Sequence, residues 1–131
     1  MNVSTFQLLV PTNQTVTGPT FRNEGNQVVV EYDYERDDGT VVWSQITFKE
    51  VLAFEYRQDV CGRETDITDG SSEVQVLEQS EYLSDVVSRW QETVGWQDWQ
   101  QKQGGAARFK HFTVFFDNAA SINVVAATLS S

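Results

Sequence analysis

The sequence predicts an α+β fold: one antiparallel β-sheet of about six strands, joined by hairpins and covered by one main α-helix. Three observations predict it. Several short segments alternate apolar and polar residues with a period of two, the mark of half-buried strands. Turn chemistry of hairpin length separates them. A single stretch, Leu83, Val86, Val87, Trp90 and Val94, repeats at helical spacing. With 131 residues, 40% of them hydrophobic and 21% charged, the chain has the composition of one globular domain, residues 1–131, rather than of a disordered segment.

The elements follow in order. Val3 to Val10 reads as an added edge strand. In Gln27 to Glu35, Val28, Val30, Tyr32 and Tyr34 fall on one face while Glu31, Asp33 and Glu35 fall on the other. Asp37-Asp38-Gly39 reverses the chain, because Gly supplies the positive φ of a tight turn. Thr40 to Lys49 returns with Val42, Ile46 and Phe48 inward, and Trp43 is assigned to the core by its position. Glu50 to Gln58, with Leu52, Phe54 and Tyr56 on one parity, is either a third strand or a bent continuation of the second. A polar loop spans Asp59 to Ser72, and Val74 and Val76 mark a short strand over Glu73 to Gln79.

Ser80 is placed as the N-cap of the helix, with Glu81 in the first turn to complement the helix dipole, and Gly95 as its end. Leu83, Val86 and Trp90 are expected to pack on Val30, Tyr32, Phe54, Phe112 and Val114. Arg108 to Phe116 and Ser121 to Thr128 alternate again and are joined through Asp117-Asn118-Ala119-Ala120 as a closing hairpin.

Charge excludes several functions. Nineteen acidic against nine basic residues give a formal net charge of −10, which repels phosphate backbones and anionic lipid surfaces. Nucleic acid and membrane are therefore not expected partners. The excess sits in the middle of the chain: Glu31 to Asp85 holds fifteen acids and four bases. Such a field speeds encounter with a basic protein, which is the expected partner class. No run approaches the roughly 20 apolar residues of a membrane helix, and Met1 to Val10 lacks the basic start and apolar centre of a secretion signal. One cysteine forms no internal disulfide, so a reducing cytoplasm is the expected compartment.

The chemistry-bearing residues are few. His111 is the sole histidine, and its strand parity sets it opposite Phe112, Val114 and Phe116. Asp117 shares that parity, but six residues along a strand span ~20 Å, so the two cannot pair directly. A hydrogen-bonding, structural His111 is expected; a small-ligand or enzymatic site around it is the alternative. Cys61 beside Gly62-Arg63 reads as a bystander thiol. One His and one Cys cannot furnish a structural zinc site, and Glu64, Asp66, Asp69 and Glu73 do not follow calcium-loop spacing. Gly104-Gly105 lacks the context of a phosphate loop. No metal, cofactor or catalytic residue is expected, and the chain reads as a non-enzyme.

Two surfaces remain as partner-binding candidates. Glu31, Asp33 and Glu35 form an acidic row on one strand face, extended by Asp37 and Asp38 into the turn; like charges at this spacing repel unless a cation relieves them. The same row could simply solubilise an outer face. Trp96 and Trp99 lie in a glutamine-rich connector, either as interface anchors or folded onto the core.

Several segments carry a family resemblance: Phe48, Val51, Ala53, Phe54 and Tyr56; Glu78-Gln79-Ser80-Glu81-Tyr82-Leu83; Lys110-His111-Phe112-Thr113-Val114-Phe115-Phe116-Asp117; and Val124-Val125-Ala126. Together, over roughly Thr47 to Thr128, they resemble a group of small uncharacterised bacterial proteins, some of which look like immunity proteins that neutralise a toxin. The chain departs from that group at Ala119-Ala120, where a Gly commonly follows the Phe-Asp turn, and in its Trp96 and Trp99 insertion. The resemblance implies an inhibitor that binds a protein, with no catalytic motif. A phage or mobile-element inhibitor of a host defence protein fits the same features.

Overall fold

The computed structural model describes residues 3–8, 10–12, 19–57, 73–93, 108–116 and 121–131. Nine strands and one helix lie among them. In chain order these are β1 (Val3–Gln7), β2 (Thr20–Glu24), β3 (Gln27–Glu35), β4 (Val41–Lys49), β5 (Ala53–Arg57), β6 (Glu73–Leu77), α1 (Glu81–Thr93), β7 (Lys110–Phe115), β8 (Ser121–Ala126) and β9 (Thr128–Ser130). They form two antiparallel sheets, one of five strands in the order β1-β6-β7-β8-β5 and one of four in the order β2-β3-β4-β9.

This corrects the expected α+β architecture. The protein is mainly β, and what was expected to be one sheet of about six strands under a helix is two facing sheets. Alternation reports that a strand is half buried; it does not report which sheet the strand joins. Part of the inward assignment holds, on residues that now face each other across two sheets. Val28, Val30, Tyr32, Ile46 and Phe48 of the four-stranded sheet pack with Val74, Val76, Phe112, Val114, Ile122 and Val124 of the other. Ring contacts bridge the gap between sheets, Phe48 to Phe112 with centroids 5.7 Å apart and Tyr32 to Phe116 at 5.6 Å. Burying each such side chain contributes about 1.5–3 kcal/mol.

The two sheets are connected by strands that cross from one to the other. β4 leads through Glu50, Val51 and Leu52 into β5, and β8 leads through Ala127 into β9. These two bent ribbons stay paired across the corner: Leu52 N–H donates to the Val125 carbonyl at 2.8 Å and Ala127 N–H to the Lys49 carbonyl at 3.1 Å. Glu50 takes a left-handed φ of 56° to make the turn, and its carboxylate pairs with Arg108. Within Glu50 to Gln58 the structure forms a third strand, β5, which the bent chain leaving β4 carries into the other sheet. The bend also breaks the period of two: Leu52 packs on the helix side of the sheet, whereas Phe54 packs between the sheets.

Hairpin chemistry sets the registers of β3 with β4 and of β2 with β3. Gly39, at φ 87°, donates its N–H to the Arg36 carbonyl, and Arg36 N–H donates to Thr40, the geometry of a type I turn closed by a glycine bulge. Gly25, at φ 67°, opens the two-residue turn Gly25-Asn26 between β2 and β3. Val10 and Thr12 are fastened to the sandwich, with Thr12 Oγ1 donating to the Phe115 carbonyl at 2.6 Å and Tyr32 O–H to the Val10 carbonyl at 2.5 Å.

The helix lies where the sequence did not put it. Ser80 does cap it, accepting Leu83 N–H at 3.0 Å. But Tyr82, Leu83, Val86 and Val87 pack on Phe109, Val125 and Ala127, the outer face of the five-stranded sheet, with Leu52, Ala53 and Trp90 partly buried at the margin. Val30, Tyr32, Phe54, Phe112 and Val114, expected beneath the helix, belong instead to the core between the sheets. β7 carries apolar residues on both parities, and this allowed the wrong face to be chosen. The expected helix end at Gly95 and the closing turn over residues 117–120 lie outside the described residues.

Candidate functional site

The β3–β4 hairpin holds five of the expected partner-binding residues, and the structure sorts them into different environments. Glu35, Asp37 and Asp38 are exposed at its tip. Asp38 is part of the turn itself, its Oδ1 accepting the Thr40 hydroxyl at 2.6 Å and the Thr40 N–H at 3.0 Å. Those two bonds, the hydroxyl first, hold its carboxyl below the usual carboxylate range. Glu31 is half-buried and shares Arg22 with Glu24. The Glu24 and then the Glu31 carboxylate in turn raise the pKa of the Arg22 guanidinium.

Asp33 corrects the picture of a continuous solvent-facing row, because it is only 2% exposed. The repulsion expected along the strand is relieved at Glu31 by a neighbouring arginine, and Asp33 is withdrawn from the solvent-facing row. Trp96 and Trp99, the other expected anchors, lie outside the described residues, as do Cys61 and Asp117.

A residue that sequence reasoning consigned to the core stands beside the acids. Trp43 is 58% exposed and Val41 47%. In register, Trp43 lies opposite Asp33 and Val41 opposite Glu35, so all four share the outer face of the four-stranded sheet. The signal was present: Trp43 has the opposite parity to Val42, Ile46 and Phe48, and strict alternation directs it outward.

The second constellation centres on His111, which is fully buried beside Ser80, Thr113 and Asn123. Register places Thr113 opposite Asn123, Asn123 opposite Glu55, and Thr113 opposite Gln75, a polar row across the outer face of the five-stranded sheet. Ser80 Oγ, already accepting Leu83 N–H, has its O–H left to donate to His111 Nδ1 at 2.9 Å. Nε2 is then the protonated nitrogen, and it donates to Asn123 Oδ1 at 2.7 Å. Thr113 Oγ1 donates to the same oxygen at 3.1 Å, and Asn123 Nδ2 reaches Glu55 at 3.4 Å. Tyr82 sets its ring edge-to-face against the imidazole at 5.0 Å. A serine hydrogen-bonded to a histidine is the start of a nucleophile arrangement, but here the hydroxyl is engaged by the helix cap and the imidazole has no exposed surface.

A cleft of about 400 Å³ opens where the β2–β3 turn meets the β4–β5 corner, between Phe21, Asn26, Val51 and Phe54. Phe21 stacks edge-on against Phe54 and Tyr56 there, at 5.0 and 5.1 Å. Among the described residues no cluster of three or more His, Cys, Asp or Glu side chains could hold a metal ion, and no helix is long and apolar enough to cross a membrane. Comparison with protein-family models, curated proteins and solved structures gives no match.

Proposed function

We propose that the chain is a non-enzymatic, cytoplasmic protein-binding inhibitor that neutralises a cationic effector, in the manner of an immunity protein. The observation that carries this reading is the β3–β4 hairpin. It presents Glu35, Asp37 and Asp38 at an exposed tip next to an outward Trp43, on a chain of net charge −10. Tryptophan is enriched among the residues that dominate protein-binding energy, and such anchors are ringed by a polar, solvent-accessible rim. The tight turn fixes the tip in place, so little ordering remains to be done on association. The hydrogen-bonded, buried imidazole of His111 supports a structural rather than a catalytic use of the one histidine.

The test is affinity capture from the native cell at low salt, followed by kinetics on the purified partner. The partner should be basic. Its association rate should fall as ionic strength carries the Debye length below about 10 Å. The double variant Glu35→Gln, Asp37→Asn leaves Asp38 to hold the turn. It should associate more slowly and with a flatter salt dependence. Equal low-salt rates for parent and variant would reduce the hairpin to a solubilising surface.

A further inference from the structure

The exposed hairpin face carries a more specific recognition than charge alone, and the inference rests on the proposed function above. Trp43 and Val41, two residues apart on β4, are both outward, at 58% and 47% exposure. Their cross-strand neighbours are acids, Asp33 opposite Trp43 and Glu35 opposite Val41, while Glu31 sits on the other diagonal of the indole. Among the described residues, Arg22 is engaged by Glu24 and Glu31, and no cation is paired with Glu35. An exposed indole with carboxylates beside it matches one partner group better than others. A guanidinium is planar, weakly hydrated and always charged, so it can lie flat on the ring while its N–H fork reaches a carboxylate. An ammonium is compact and strongly hydrated, and gains less from the same surface.

We infer that the Trp43–Val41 face of the β3–β4 hairpin is an arginine-reading surface: the basic partner presents an arginine side chain that stacks on Trp43 and hydrogen-bonds to Glu35. Val41 supplies apolar cover for the methylene stem of that arginine. The acids draw the partner in, and the indole selects which cation it uses.

The test uses the full chain and two fluorescently labelled peptides of equal length and charge, one arginine-rich and one lysine-rich, with binding followed by anisotropy at several salt concentrations. The parent should bind the arginine peptide more tightly than the lysine peptide. Trp43→Ala should weaken arginine-peptide binding by about two- to fivefold for each stacked contact and weaken lysine-peptide binding less, so that the preference is lost. Trp43→Phe should retain part of the preference. Trp43 is mostly exposed, so both variants should melt with the parent, and a melt recorded beside each titration checks this. Equal affinity for the two peptides, or a preference that survives Trp43→Ala, would overturn the arginine reading. The charge-based function would still stand if both dissociation constants rose with salt. Failure of both peptides to bind at low salt would overturn the two readings together.

Discussion

Ser80 does two jobs with one hydroxyl. It accepts Leu83 N–H as the helix cap and donates to His111 Nδ1. Removing it should therefore cost more than an ordinary cap: about 1 kcal/mol for the orphaned N–H, and about 1–3 kcal/mol for a buried acceptor left unsatisfied. Ser80→Ala should lower the urea midpoint accordingly, and Ser80→Thr, which retains both bonds, should stay near the parent. A loss no larger than that of a surface cap would mean that the imidazole does not depend on the hydroxyl. Tyr32 gives a pH dependence of defined sign. Burial raises its pKa above the ordinary phenol value, with a smaller opposing effect from Ser44. Its stabilising contribution is thus complete below about pH 10 and is lost as pH rises through the higher folded value. Alkaline unfolding followed by circular dichroism should show this loss. Tyr32→Phe should remove that part of the dependence while sacrificing about 1 kcal/mol from the bond to Val10. His111 was placed by parity alone, on the face opposite Phe112 and Val114, and that placement was legible. The burial of Asp33 was not, because alternation distinguishes two faces and is silent on what covers the outer one.

The helix shows the same boundary between local and tertiary information. Its cap and its apolar stripe follow from a short window of sequence; the cap is formed and the stripe is packed from Leu83 to Trp90. Its docking face depends on residues as distant in the chain as Leu52 on one side and Ala127 on the other. β7 and β8 are buried on both faces, so Phe112 with Val114 and Phe109 with Val125 offered the helix two apolar surfaces. The structure uses the second. Val86 is buried at that interface, and Val86→Ala should destabilise the protein by about 1–3 kcal/mol, whereas Arg89→Ala, at an exposed position of the same helix, should cost less. Similar small losses from both would place the helix elsewhere. Trp90 is half-buried, with its indole N–H 3.4 Å from the Leu52 carbonyl. Its truncation should accordingly cost less than that of a fully enclosed ring. β2 escaped the sequence reading because its five residues are all exposed and show no alternation. Gly25-Asn26 was nevertheless a hairpin signal just ahead of the strongest strand in the chain.

Two sheets joined by strands that run through both should not unfold separately. The ribbon β4–β5 is one neighbour in each sheet, as is β8–β9, and their pairing continues across the corner at Leu52–Val125 and Lys49–Ala127. Opening the four-stranded sheet would expose Phe112, Val114 and Ile122 of the other, because a single apolar core serves both. The expected behaviour is one cooperative transition. Ile46 and Ile122 are each fully buried, one in each sheet, and the pair provides the test. Ile46→Ala and Ile122→Ala should each shift the whole melt downward, by about 2–5 kcal/mol of stability, with far- and near-ultraviolet circular dichroism moving together in both. If each substitution moved only one of two resolved transitions, the corner would be a tether between independent units and the hairpin at β3–β4 would rest on the smaller sheet alone. If both move a single transition, the Glu35–Trp43 face is held by the stability of the entire sandwich, which is the rigidity that a surface needs to select one cation over another.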